Sequence, residues 1–131
     1  MDRVKKNFGF GCMRLPMQNG EIDLAETSRM VDAFLDAGFN YFDTAHGYLQ
    51  GKSEKTLKTC LTSRYPRSYI LTDKLTADFF KTEVDIRPLF EKQMEACGVD
   101  YFDFYLMHAQ GAGNFPHFKK CRACYVSMPQ V

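Results

Sequence analysis

The sequence predicts an α/β fold of about four βα units on a parallel sheet. Two observations carry this. Short apolar, strand-like runs alternate with helical patterns in the order β-α-β-α-β-α-β. The residues that close those runs, Gly11, Asp43, Lys74 and His108, recur about 32 residues apart, the size of one βα unit. A closed eight-unit barrel takes ~250 residues. A chain of 131 residues therefore leaves two architectures open, a small open sheet complete in itself or the front half of a (β/α)8 barrel.

The first strand is Phe8–Cys12. Its Gly9-x-Gly11 lacks the third glycine, opening a helix, of a dinucleotide fingerprint, so it reads as a strand end that packs closely. Met13–Pro16 leaves as a loop. Asp23 and Glu26 form a capping-box pattern, and Thr27, Met30, Val31 and Phe34 then share one helical face. That helix ends near Ala37, with Gly38 as its stop. The aromatic run Phe39–Asp43 is the second strand. Ser53 is expected to cap the next helix, with Glu54 in its first turn and Leu57, Cys60 and Leu61 as its buried stripe.

Tyr69–Thr72 is the third strand, running into Asp73 and Lys74. A helix follows over about 82–97, with Pro88 tolerable near its first turn. Ile86, Leu89, Phe90 and Met94 face inward and Gly98 ends it. The fourth strand is Tyr101–Met107, closed by His108. Beyond it, Gly111–Asn114 reads as a loop and Phe118–Ala123 as the start of a helix. Residues 124–131 show no period and read as a tail unlike the rest of the domain.

Composition narrows the function classes. Seventeen basic against sixteen acidic residues give a net charge of +1, which offers nothing to nucleic acid or an anionic membrane. No apolar run approaches the ~20 residues that span a bilayer, and no apolar stretch follows the basic N-terminus as in a signal peptide. The five cysteines, at 12, 60, 97, 121 and 124, read as reduced thiols, so a cytoplasmic location is expected. Cys121 and Cys124 form a CxxC without the strand–helix context of a redox motif or the second pair of a zinc site, and no metal is expected.

Parallel strands joined through helices place all their C-terminal ends on one rim. Asp43, Lys74 and His108 therefore gather there with the Gly11 loop, and Tyr48 follows just above. Alternation sets Asp43 on the face of Tyr41, Lys74 with Ile70 and Thr72, and His108 with Phe104 and Leu106. An ammonium beside a phenol favours the phenolate, which makes Tyr48 a general acid. Asp43 supplies the counter-charge of Lys74, and His108 can orient a substrate oxygen. An acid and an oxygen-polarising donor suit protonation of a carbonyl that receives hydride. Singly, each of the four has an ordinary structural reading; their joint placement lifts the set. His46 reads as a loop residue and His117 as surface.

Gly9-x-Gly11-Cys12-Met13-Arg14-Leu15-Pro16, Asp36-Ala37-Gly38-x-Asn40-x-Phe42-Asp43-Thr44-Ala45-x-x-Tyr48, Gly51-x-Ser53-Glu54, Thr72-x-Lys74 and Asp100-Tyr101-x-Asp103-x-Tyr105-Leu106-x-His108 resemble the N-terminal half of an aldo-keto reductase over about residues 7–110. The resemblance implies the N-terminal half of a (β/α)8 TIM barrel and reduction of a small carbonyl substrate with NADP(H), or less often NAD(H). It implies Tyr48 as proton donor, Lys74 as its activator, Asp43 as the partner of Lys74, His108 orienting the carbonyl, and Gly11, Cys12 and Asp43 near the cofactor. Met107–Gln110 is similar to prokaryotic members, some of which carry a C-terminal iron–sulfur segment; no such cysteine run stands here, and no cluster is expected. Asp73 departs from the small or hydroxyl residue common at that place. With strands five to eight absent, the expectation is a fragment inactive alone. The alternative is a non-catalytic half barrel that self-associates through open strand edges or binds a full-length relative.

Overall fold

The computed structural model describes residues 3–119. Four parallel strands form the main sheet in the order β1 (Gly9–Gly11), β4 (Tyr41–Asp43), β5 (Ile70–Leu75) and β6 (Phe104–Met107). Sequential strands lie side by side, each return made through a helix: α1 (Leu24–Asp36), α2 (Lys52–Leu57) and α3 (Ile86–Cys97). A short α4 (Phe115–Lys119) follows β6.

Register fixes the two faces. Gly11 lies opposite Asp43, Asp43 opposite Thr72, Thr72 opposite Phe104, and Lys74 opposite Leu106, so all six share one face. On the other face Phe10, Phe42 and Leu71 pack with Val31 of α1 and Leu57 of α2, continuing into Cys60, Leu61 and Cys97. A second cluster of Leu75, Phe80, Ile86, Leu89 and Phe118 closes the far end of β5. Gly9 has a packing reason: a Cβ there would stand 3.1 Å from the Tyr41 ring.

The elements follow the expected order, with corrections at their edges. Met13–Pro16 is the expected loop; beyond it, where no element was expected, β2 (Met17–Gln18) and β3 (Glu21–Ile22) form an antiparallel hairpin. Its turn residues Asn19 and Gly20 both take left-handed backbone, at φ 52° and 82°, the Asn-Gly signature of a tight hairpin. Half of the capping box at α1 forms. Asp23 accepts from the Glu26 N–H at 2.8 Å, but the Glu26 carboxylate turns to Arg29. Met30 is half exposed rather than buried.

Ser53 does not cap α2. The chain enters through Leu49, Gln50 and Gly51, all at positive φ, so Gly51 occupies the cap and Ser53 already lies inside the helix. Its hydroxyl donates to the Cys12 carbonyl at 2.9 Å and meets the Thr44 hydroxyl at 2.8 Å, tying α2 to the ends of β1 and β4. The helix before β6 begins later than expected, because Thr82 and Asp85 form a capping box around a 3-10 turn at Glu83–Asp85. His117 is half-buried and stacks on Phe80 at 4.5 Å rather than lying free on the surface. Cys121, Cys124 and the 124–131 tail lie outside the described residues, and of the expected 118–123 helix only the start lies within them.

Candidate active site

Lys74 sits near the end of β5 with every polar group of its backbone and side chain engaged. Its N–H donates to Asp73 Oδ1 at 2.7 Å, and its carbonyl accepts from Gln93 Nε2 of α3 at 3.2 Å. The ammonium turns to the opposite face. There it donates to Asp43 Oδ1 at 2.5 Å and to the Thr44 carbonyl at 2.6 Å. The Lys74 side chain is 10% exposed and that of Asp43 29%, so the pair is dry on one side and wet on the other.

Tyr48 enters from the loop after β4. The Lys74 Nζ lies 4.7 Å from the centre of its ring, a cation over a π face. The three left-handed residues that follow, Leu49, Gln50 and Gly51, turn the chain sharply from Tyr48 into α2. Left-handed backbone at two non-glycine residues is strain held by its surroundings, and it occurs at the rim.

His108 follows β6. Its ring meets Tyr48 edge-on, with centroids 5.5 Å apart, and its Nδ1 lies 2.8 Å from the Thr76 hydroxyl. Partial burial, then the nearby Lys74 charge, push the imidazole below its ordinary pKa. Asp43, Tyr48, Lys74 and His108 thus gather at one end of one sheet, as their spacing predicts. Tyr41 and Thr72 join hydroxyls at 2.7 Å beneath them on the same face.

Gly11 stands beside Asp43, and a Cβ built on it would meet nothing within 4 Å. Cys12 is different. Its side chain is fully buried, its N–H is given to the Asp43 carbonyl at 2.9 Å, and its own carbonyl is taken by Ser53. Burial, then the Asp43 charge, push its thiol up to about 12. Cys12 therefore supports the rim from beneath.

Three further residues belong to the site's supports. Thr76 reaches His108; it was legible only as the next same-face position after Thr72 and Lys74. Glu54 is 1% exposed, and both its oxygens face His46 Nδ1, at 3.0 and 3.2 Å. His46 in turn meets the Phe79 ring edge-on at 4.8 Å. Asp73 is fully buried on the helix side of β5, and burial and the Glu54 charge hold its carboxyl well above the usual carboxylate range.

A family model of the aldo/keto reductase family matches residues 7–113. The chain belongs to the aldo/keto reductase family. An aldo-keto reductase of Mycobacterium sp. (strain MCS) is 34% identical over 108 residues, covering 80% of this chain and 36% of that protein. Among solved structures, an aldo-keto reductase of Bacillus halodurans in its holo form superposes with a TM-score of 0.66 at 28% identity, over 78% of this chain and 36% of that one. An aldo-keto reductase from Klebsiella pneumoniae, solved in complex with NADPH, gives a TM-score of 0.67 at 20% identity, over 79% of this chain and 35% of that one. This aldo/keto reductase chain spans about a third of the length of the curated relatives it matches. The likeness decides between the two architectures: the parallel sheet is part of a (β/α)8 barrel, not a small open sheet of its own. Among the described residues no helix is long and apolar enough to cross a membrane.

Proposed function

We propose that this chain carries the proton-donating site of a carbonyl reductase that works with NADP(H) or NAD(H). One observation carries the reading: the Lys74 ammonium, shared between Asp43 and the Tyr48 ring, lies on the same rim as His108.

The residues fit that chemistry. Tyr48 gives its phenolic proton to the oxygen of an aldehyde or ketone. The ammonium over its ring stabilises the phenolate left behind. Asp43 balances the Lys74 charge, so the site accepts a neutral carbonyl without an unpaired buried cation. A neutral His108 whose Nδ1 accepts from the Thr76 hydroxyl offers Nε2–H to the same substrate oxygen. The open surface at Gly11, beside Asp43, leaves room for a planar ring, and these two residues would hold the nicotinamide end. The bound cofactor supplies hydride to the carbonyl carbon.

Four strands do not close a barrel, and in isolation this chain is expected to turn over little or no substrate. The test mixes it with the C-terminal half of the Mycobacterium relative and follows NADPH oxidation with an aromatic aldehyde. The reading predicts turnover that Tyr48→Phe abolishes. Turnover unaffected by Tyr48→Phe, or a formed complex with none, contradicts it.

A second reading has its own observation. Among the described residues β1 and β6 are the sheet's outer strands, and Phe104 and Leu106 on the barrel-facing side are 37% and 43% exposed. Open edges and exposed apolar side chains favour association with a second copy or a full-length relative. Size-exclusion chromatography with light scattering tests it; a monomer at all concentrations removes self-association.

A further inference from the structure

The helix side of β5 holds a group that the site chemistry leaves unexplained. Asp73 is fully buried, and its Oδ1 accepts the Lys74 N–H. Its Oδ2 has no hydrogen-bond partner among the described residues. From α2, Glu54 brings a second buried carboxyl toward it, with His46 on its far side. The nearest ammonium does not serve the pair, because Lys74 Nζ turns to the other face. The remaining titratable groups around the compartment are Cys12 after β1, Asp43 of β4, Cys97 of α3 and, further off, Arg67 before β5, which is engaged by Asp103. Gln93 of α3 supplies only an amide, which is shared with the Lys74 carbonyl and Tyr105.

Two carboxyl groups in one dry compartment cannot both ionise at small cost. A cation between them is one solution; a proton is the other. His46 Nδ1 lies 3.0 Å from a Glu54 oxygen, and an ionised Glu54 can only accept there, so the tautomer with its proton on Nδ1 suits Glu54 as the carboxylate of the pair. We propose that Asp73 stands in the folded chain as the neutral acid, its O–H directed at the Glu54 carboxylate, and that it positions Lys74 without competing for its charge. An ionised Asp73 would put a second carboxylate one residue from the ammonium and weaken its hold on Tyr48 and Asp43. A neutral Asp73 fixes the Lys74 backbone and leaves the ammonium to the rim. His46, with 14% of its side chain exposed, is the pair's link to solvent.

The effect on Lys74 rests on the catalytic reading above; the proton on Asp73 does not, and it is read without turnover. Infrared difference spectroscopy of the 131-residue chain at pH 7 is expected to show a protonated carboxyl C=O band that Asp73→Asn removes. Because the amide is a near-isosteric copy of the neutral acid, Asp73→Asn is expected to fold. A raised acid stabilises most below its unfolded pKa of about 3.9, and that stability is lost as pH rises through the folded value. Asp73→Asn should therefore flatten the decline in stability that sets in as pH rises above about 3.9. If that variant fails to fold, Glu54→Gln serves: with the neighbouring charge removed, the band should titrate away at lower pH than in the wild type. No protonated carboxyl band in the wild type at pH 7, a band that persists in Asp73→Asn, or an unmoved titration in Glu54→Gln overturns the proposal.

Discussion

Lys74 of β5 donates to Asp43 of β4 at 2.5 Å, joining the ends of two neighbouring strands across the rim of the sheet. Asp43 is the acid that faces this ammonium; the other nearby oxygen is a backbone carbonyl. Removing Asp43 leaves a largely buried cation half-satisfied. A fully buried pair broken on one side costs about 3–5 kcal/mol, and the partial exposure of Asp43 lowers the expectation for Asp43→Ala to about 2 kcal/mol. Urea denaturation of the two proteins measures this directly. Lys74→Met, which removes the cation with the pair, should cost less than Asp43→Ala.

The buried thiols give a second prediction. Cys12, Cys60 and Cys97 are all buried, and burial pushes Cys12 and Cys97 far above the ordinary thiol range. A thiol that stays protonated and enclosed is a poor nucleophile. Iodoacetamide at pH 8, with digestion and mass spectrometry, should leave these three unlabelled in the native chain and label them after denaturation. Labelling of Cys12 in the native protein would mean that the underside of the rim is open.

Gly98 terminates α3 with φ 66°, and a Cβ there would stand 3.0 Å from the Lys58 side chain. The left-handed backbone costs a β-carbon-bearing residue about 1 kcal/mol or somewhat more. The contacting atoms belong to a flexible side chain that can move aside. Gly98→Ala should therefore destabilise the chain by about that amount and no more. A thermal melt in parallel with wild type checks it.

The rim was legible in the sequence because it depends on two regularities. Strand ends repeat at the length of a βα unit, and alternation decides which face each end residue takes. Asp43, Lys74 and His108 follow from these, and Tyr48 follows from the short loop after β4. The supports were not legible for equally physical reasons. Ser53 looks like a helix cap by type, but three left-handed residues move the helix start and free its hydroxyl for Cys12 and Thr44. Glu54 looks like a first-turn acid on a helix surface, yet α2 turns that face inward onto His46. Asp73 stood out only as a departure from the small or hydroxyl residue common at that place, and nothing local indicates that another acid faces it. The hairpin could have been read from Asn19-Gly20, but its two-residue strands fall below any detectable alternation.

The account depends on Lys74, Tyr48 and His108 sharing one electrostatic environment, and the His108 imidazole reports on it most directly. An unperturbed histidine titrates near ~6.5. Burial and the Lys74 charge lower His108, so the folded chain takes up this proton less readily than the unfolded one. Its stabilising contribution is full above about 6.5 and is lost as pH falls from there toward the folded value. Titration of the His108 ring protons by NMR should give a midpoint below that of a free histidine in the wild type, and a higher one in Lys74→Met. A His108 midpoint unchanged by Lys74→Met would show that the two groups do not meet, and would contradict the shared rim.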